Sequence, residues 1–315
     1  MKKSILLFVF VLLGGLATGQ QTQSIDFIHL CDTHVIDLKG VAAPLAKARE
    51  HFADGERRLA ALLSDPAWAK TTSFALITGD LTDAFSFTGA DGGTVRGQVE
   101  AFRRATLKSQ IPLFLTLGNH DIQHYGLSAD ATKPAADQCV AGAARAAWTR
   151  NVECFREGTY YEFVKQVGDT RYVFLMLDNG YAAAGSQEPP AVGIDREQLY
   201  WLRTRAAANR DAVLILGMHI PLGEDATSDA IRGALSDTQN LALVLAGHNH
   251  RNQIEELSVG ASETVQVQTA ALGYGEQNWR RIRLLPDRIE IYKTGSKDEV
   301  EYTITTSRKI RRPAA

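Results

Sequence analysis

Five times along this 315-residue chain an apolar run of strand length stops, and histidine, aspartate or asparagine follows within a few positions. Residues 24–30 lead into Cys31-Asp32-Thr33-His34, and residues 73–78 into Gly79-Asp80-Leu81-Thr82-Asp83. Residues 111–117 lead into Gly118-Asn119-His120-Asp121, residues 212–216 into Gly217-Met218-His219, and residues 241–245 into Gly247-His248-Asn249-His250. Short apolar runs of this kind fit strands buried on both faces, as in open α/β sheets. Such sheets place their sites beyond the carboxyl ends of the strands.

The stretches between support an α/β fold class. Residues 45–63, 99–107 and 196–208 carry apolar and charged residues at helical spacing, with Pro44 suited to a helix start and Leu199, Trp201 and Leu202 turned to a core. Residues 160–167 and 170–177 read as a hairpin turning at Gly168-Asp169 and closing on Asp178-Asn179-Gly180. From Glu263 onward the pattern is β-rich, with Pro286-Asp287 joining residues 280–285 to 288–292. Residues 84–97 are glycine-rich but lack the spacing of a phosphate-binding loop, and read as a mobile surface loop. Residues 122–157 break the rhythm as a long insertion, either a possible lid beside the site or a packed surface excursion. With no internal repeat, one domain over residues 20–305 is expected, followed by a short basic tail, 306–315.

The first 19 residues set the expected compartment. Lys2 and Lys3 precede an apolar run over residues 5–17, and Ala17-Thr18-Gly19 then offers a small-residue cleavage site before Gln20. This is the pattern of a secretory signal peptide, too short to span a bilayer. Export to the periplasm or beyond is expected, with no membrane span left after cleavage. Loss of the two lysines takes the formal charge from −2 to −4, so no global attraction to nucleic acid is expected and no nucleic-acid groove stands out. Export also permits disulfides. Cys139 and Cys154 flank a helical stretch inside the insertion and are expected to pair, worth roughly 3 kcal/mol in the chain-entropy model. Cys31 reads as a small buried residue.

Taken singly, each cluster has a plainer reading: Asp32 suits a turn and Asp83 a helix N-cap. Together they concentrate five of the eight histidines, His34, His120, His219, His248 and His250. Asp-x-His and His-x-His place both side chains on one side of an extended backbone. The whole set is too large for one tetrahedral zinc. It suits two cations sharing a carboxylate.

The ordered series Asp32-x-His34, Gly79-Asp80-x-x-Asp83, Gly118-Asn119-His120-Asp121, Gly217-x-His219 and Gly247-His248-x-His250 resembles the calcineurin-like metallophosphoesterases. The opening and closing motifs look like the bacterial phosphodiesterase branch, and the lack of an aspartate-x-x-tyrosine motif separates the chain from purple acid phosphatases. Gln198-x-x-Trp201-Leu202 looks like the family's helix before the third-histidine strand.

The resemblance implies a four-layer αββα sandwich of two mixed β-sheets flanked by helices. It implies two metal ions, manganese, iron or zinc: Asp32, His34 and His250 on the first, Asn119, His219 and His248 on the second, Asp80 bridging. His120 would donate a proton to the leaving oxygen, oriented by Asp83, while Asp121 would stabilise its turn. The implied activity is hydrolysis of a small phosphate ester by in-line attack of a hydroxide shared by the cations. A phosphodiesterase is expected, with a phosphomonoesterase acting on nucleotides or sugar phosphates as the alternative and a non-catalytic metal-binding scaffold further behind. His124, Arg96 and Arg145 are the basic candidates for touching substrate.

Overall fold

The computed structural model describes residues 23–128, 133–181 and 192–306. The expected signal peptide and most of the basic tail lie outside these. In chain order the described residues run β1 (Ile25–Leu30), α1 (Ala43–Arg49), α2 (Gly55–Ser64), α3 (Pro66–Thr71), β2 (Phe74–Thr78), β3 (Ser86–Thr88) and β4 (Thr94–Val95). Next come α4 (Gln98–Thr106), β5 (Leu113–Thr116), β6 (His124–Leu127), β7 (Pro134–Asp137), α5 (Ala141–Asn151), β8 (Tyr161–Val167), β9 (Thr170–Met176) and α6 (Arg196–Ala208). The remainder is β10 (Val213–Gly217), α7 (Ala226–Ala234), β11 (Leu241–Ala246), β12 (Gln253–Val259), β13 (Ser262–Gln268), β14 (Arg280–Leu284), β15 (Arg288–Tyr292) and β16 (Val300–Thr305).

Two six-stranded mixed sheets form the middle layers. The first has the order β16-β15-β14-β1-β2-β5, with β1, β2 and β5 parallel. The second has the order β12-β13-β11-β10-β9-β8, with β9, β10, β11 and β13 parallel. Alternation along each strand divides its side chains between two cores. Phe27, Phe74 and Leu76 meet Phe174, Met176, Ile215 and Leu245 between the sheets. Ile28, Leu30 and Ile77 face outward onto Leu59, Trp68, Phe102 and Trp148 from helices. On the far side, Leu175, Leu214 and Val244 pack under Leu202, Ala206 and Ile231. The result is a four-layer sandwich, and burial on both faces explains why β2, β10 and β11 read as apolar runs, while β1 carries Asp26 and His29 among its apolar residues.

A third sheet was not expected. It has four strands, β4-β3-β6-β7. Residues 84–97, read from sequence as a mobile loop, instead form the β3–β4 hairpin, and Phe87 is fully buried 5.9 Å from Tyr125. Residues 122–157 are likewise woven in: β6 pairs with β3, while Trp148 and Phe155 are buried in the outer core. No disulfide joins Cys139 to Cys154. The eleven residues of α5, at about 1.5 Å each, stand between them, with its ends roughly 16 Å apart.

Candidate metal centre

Parallel strands carry their carboxyl ends to one edge, so β1, β2 and β5 deliver three clusters and β10 and β11 the other two. The loops that follow leave ordinary backbone geometry. Asp32, His34, Asp80, His248 and His250 all have positive φ, between 42° and 69°, and they are the only non-glycine residues among those described that do. Left-handed backbone at such residues is costly and is held only where the surroundings over-determine it.

Two glycines permit the close approach. A Cβ on Gly118 would stand 2.2 Å from Asp80 Oδ1, and one on Gly247 would stand 2.5 Å from Asp32 Oδ2. Backbone therefore packs directly on the two carboxylates. The His120 N–H donates to Asp80 Oδ1 at 2.9 Å, and the His248 N–H donates to Asp32 Oδ2 at 3.0 Å. Asp121 accepts from the N–H groups of Gly118, Leu81 and Thr82 at 2.8–3.1 Å, so it ties the β5 loop to the β2 loop.

Three donor groups meet here: His34, Asp83 and His120 form one, and the other two share one carboxylate. Asp32, His34, Asp80 and His250 each bring one donor atom within 4.8 Å of the others, and Asp80, His219 and His248 do the same. Asn119 Oδ1 lies 3.2 Å from His219 Nε2. The ring tautomers are set from behind: His34 Nδ1 meets the Asp83 carboxylate at 3.1 Å, and His219 Nδ1 donates to the Thr78 carbonyl at 2.9 Å. Their Nε2 atoms are left facing the cluster, as metal-binding imidazoles require. Nε2 of His34 and Nε2 of His250 face each other at 3.2 Å.

The electrostatics point the same way. Burial pushes the Asp80 carboxyl up, but the imidazoles of His219, His120 and His34 hold it well below the usual carboxylate range. Burial lowers His219, and the Asp80 carboxylate at 3.2 Å more than reverses this, pushing it up to about 10. His248 falls to about 4 through burial and repulsion from His219. The carboxylates thus make a site that favours positive charge. Imidazole, carboxylate and amide oxygen together fit manganese, iron or zinc.

His120 sits beside these groups. Its Nδ1 donates to the backbone carbonyl of Asp83 at 2.7 Å, while the Asp83 carboxylate is 3.7 Å away. The backbone of Asp83 orients His120; its carboxylate serves His34 and Arg49.

The sequence profile of calcineurin-like phosphoesterases matches residues 25–252. The chain belongs to the calcineurin-like phosphoesterase family. In fold this phosphoesterase is similar to a dimetal phosphatase from Danio rerio, with TM-score 0.62, 14% identity, and 90% of this chain and 99% of that one covered. It is also similar to the anchor protein of the inner membrane complex of Plasmodium, with TM-score 0.57, 13% identity, and coverage of 92% and 90%. No curated protein matches it in sequence. Family and geometry together make this a metal-dependent phosphoesterase with a dinuclear donor set.

The basic candidates for substrate contact are engaged elsewhere or lie in a separate cavity. His124 meets the hydroxyls of Ser86 and Thr88 at 2.9 and 3.1 Å, and Arg145 Nε donates to Asp178 at 2.7 Å. Arg96 and His124 line a cavity of about 410 Å³ between β3, α4 and α5. Other residues at the phosphoesterase site escaped sequence reasoning. Phe52 stacks on the His34 ring at 4.0 Å, Tyr181 Oη lies 3.4 Å from His248 Nε2, and Asn179 holds the His219 loop. Only Asn179 carried a signal, as a polar residue closing an apolar run.

Proposed function

We propose that this protein is an exported phosphodiesterase acting on a small phosphate diester. The observation that carries the reading is the shared carboxylate, Asp80, between two donor groups, with His120 alongside. Asp32, His34 and His250 would hold one cation, Asn119, His219 and His248 the other, with Asp80 between. When bound, the two ions supply positive charge to phosphate oxygens and lower the pKa of a water. His120, with Nδ1 committed to the Asp83 carbonyl, offers Nε2 to protonate the departing oxygen.

The motif resemblance to bacterial phosphodiesterases supports the diester over the monoester. That every ligand position and the acid histidine, His120, are filled weighs against a non-catalytic scaffold. Export rests on the charged and apolar pattern of residues 1–19. Among the described residues no helix is long and apolar enough to cross a membrane.

Protein beginning at Gln20, stripped and reloaded with manganese, should hydrolyse a nitrophenyl diester faster than the matching monoester, and Asp80→Ala should abolish both. Monoester preference would establish the phosphatase alternative instead. Binding of metal without turnover of either ester would favour the scaffold.

A further inference from the structure

None of the five motifs includes Arg49, yet its guanidinium is built into the same constellation. Arg49 ends α1, and its Nε donates to Asp83 Oδ2 at 2.8 Å while Nη2 donates to Oδ1. The guanidinium lies 5.0 Å from the Phe52 ring centre and 5.1 Å from that of Tyr125. Phe52 in turn stacks on His34, and Tyr125 Oη stands 3.5 Å from His120 Nδ1. Two aromatic rings and a fully buried carboxylate therefore fix the fork from three sides.

We propose that Arg49 is a positioning residue, clamping Asp83 so that one residue sets two imidazoles: His34 through its carboxylate and His120 through its carbonyl. This rests on the phosphodiesterase reading for its catalytic consequence.

The geometry explains why a clamp is needed. Asp83 Oδ1 has two imidazoles within reach, His34 Nδ1 at 3.1 Å and His120 Nδ1 at 3.7 Å. A buried carboxylate released from Arg49 could swing toward His120 and abandon His34. That would free the His34 ring and draw the His120 Nδ1 proton off the Asp83 carbonyl. Both carboxylate oxygens are held by the bidentate fork, which prevents the swing. Lysine, a single point charge, would hold one oxygen and leave the other able to move. The 17% exposure of the Arg49 side chain leaves an opening through which a small cation could enter if the side chain were shortened.

The test uses the manganese-loaded protein with Arg49→Met, Arg49→Lys, Asp83→Asn and the Arg49→Met/Asp83→Asn double variant. Turnover is measured on diesters with nitrophenyl and alkyl leaving groups. Arg49→Met should lower kcat about 10–100-fold, the range for residues that orient a site from behind, with KM within roughly threefold. The loss should be larger for the alkyl ester, as it should be in His120→Ala. The double variant should be no worse than Asp83→Asn alone, and guanidinium chloride at millimolar concentration should restore part of the lost rate. If Arg49→Met does not fold, Arg49→Lys carries the test: it should show the same kcat loss, and parental activity would overturn the proposal. A raised KM with kcat intact, or losses that multiply in the double variant, would overturn it too. Should the parent turn over neither ester, the phosphodiesterase reading falls and the clamp is read by NMR of the imidazole Nδ1 protons in the protein loaded with diamagnetic zinc instead of manganese. Displacement of both the His34 and His120 signals in Arg49→Met supports it; unchanged signals overturn it.

Discussion

Asn179 carries the peptide of His219. Its Oδ1 accepts the N–H of His219 at 3.0 Å and of Ile220 at 3.1 Å, while Nδ2 donates to the Ile220 carbonyl at 2.8 Å. Behind it, the Gln198 amide brackets the Asp178 peptide with bonds of 2.8 and 2.9 Å. The helix α6 thus reaches the donor cluster through two side-chain amides in series.

Asn179→Ala leaves two donors in this loop without an acceptor, at a cost of about 1–3 kcal/mol. In a chain of this size that is a fall in Tm of roughly 3–10 °C. Metal affinity should weaken about 10–100-fold because His219 loses its fixed backbone. Calorimetry of the metal-free variant and titration with manganese check the two effects separately. Unchanged affinity would show that His219 is held by its Nδ1 bond to Thr78 alone.

His120→Ala should lower turnover of a diester with an alkyl leaving group by about 10²–10⁴-fold. Its ring stands outside the two donor groups that share Asp80, and in its own group with His34 and Asp83 its Nδ1 is taken by the Asp83 carbonyl, so metal content should stay near that of the parent. Loss of metal together with activity would assign His120 to the donor set.

The strands that deliver the site were legible because they are buried on both faces and therefore written mainly in apolar residues, each stopped by a polar cluster, although β1 also carries Asp26 and His29. What was hidden follows a different logic. The β12 strand, Gln253–Val259, is an edge strand with polar residues on both faces, Glu255 and Glu256 being adjacent, so its sequence shows no strand period. The third sheet consists of strands of two to four residues, below the length at which periodicity speaks. Arg49 and Phe52 were hidden because they reach the site from a helix terminus, and helix spacing alone does not say which strand end a terminus will meet. The expected disulfide failed for the converse reason: closeness in sequence was taken for closeness in space, and a helix separates the two cysteines.

Burial pushes the Cys154 thiol up to about 11, and burial together with Asp32 pushes Cys31 well above its usual value. Both should resist iodoacetamide in the native protein at pH 8 and react fully once the chain is unfolded without reductant. Dithiothreitol should leave Tm unchanged. A reductant-dependent Tm would show that Cys154 is oxidised in the folded protein.

His29 predicts how the metal-free protein responds to acid. It is fully buried between two hydroxyls, Thr78 Oγ1 at 2.9 Å from Nε2 and Thr269 Oγ1 at 2.8 Å from Nδ1. Burial, reinforced by Arg280, lowers its pKa from 6.5 to about 3. A folded value below the unfolded one means the contribution is intact above pH 6.5. It is lost progressively as pH falls toward 3, because only the unfolded chain takes up the proton. The full loss is roughly 5 kcal/mol, and about 2 kcal/mol of it falls between pH 8 and pH 5. His29→Gln should cost on the order of 1 kcal/mol at pH 8 for an imperfect hydrogen-bond replacement. It should then lose about 2 kcal/mol less than the parent on moving to pH 5, with every other titrating group common to both proteins. Urea unfolding of the two metal-free proteins at both pH values measures this difference, and equal losses would mean that His29 is protonated in the folded state.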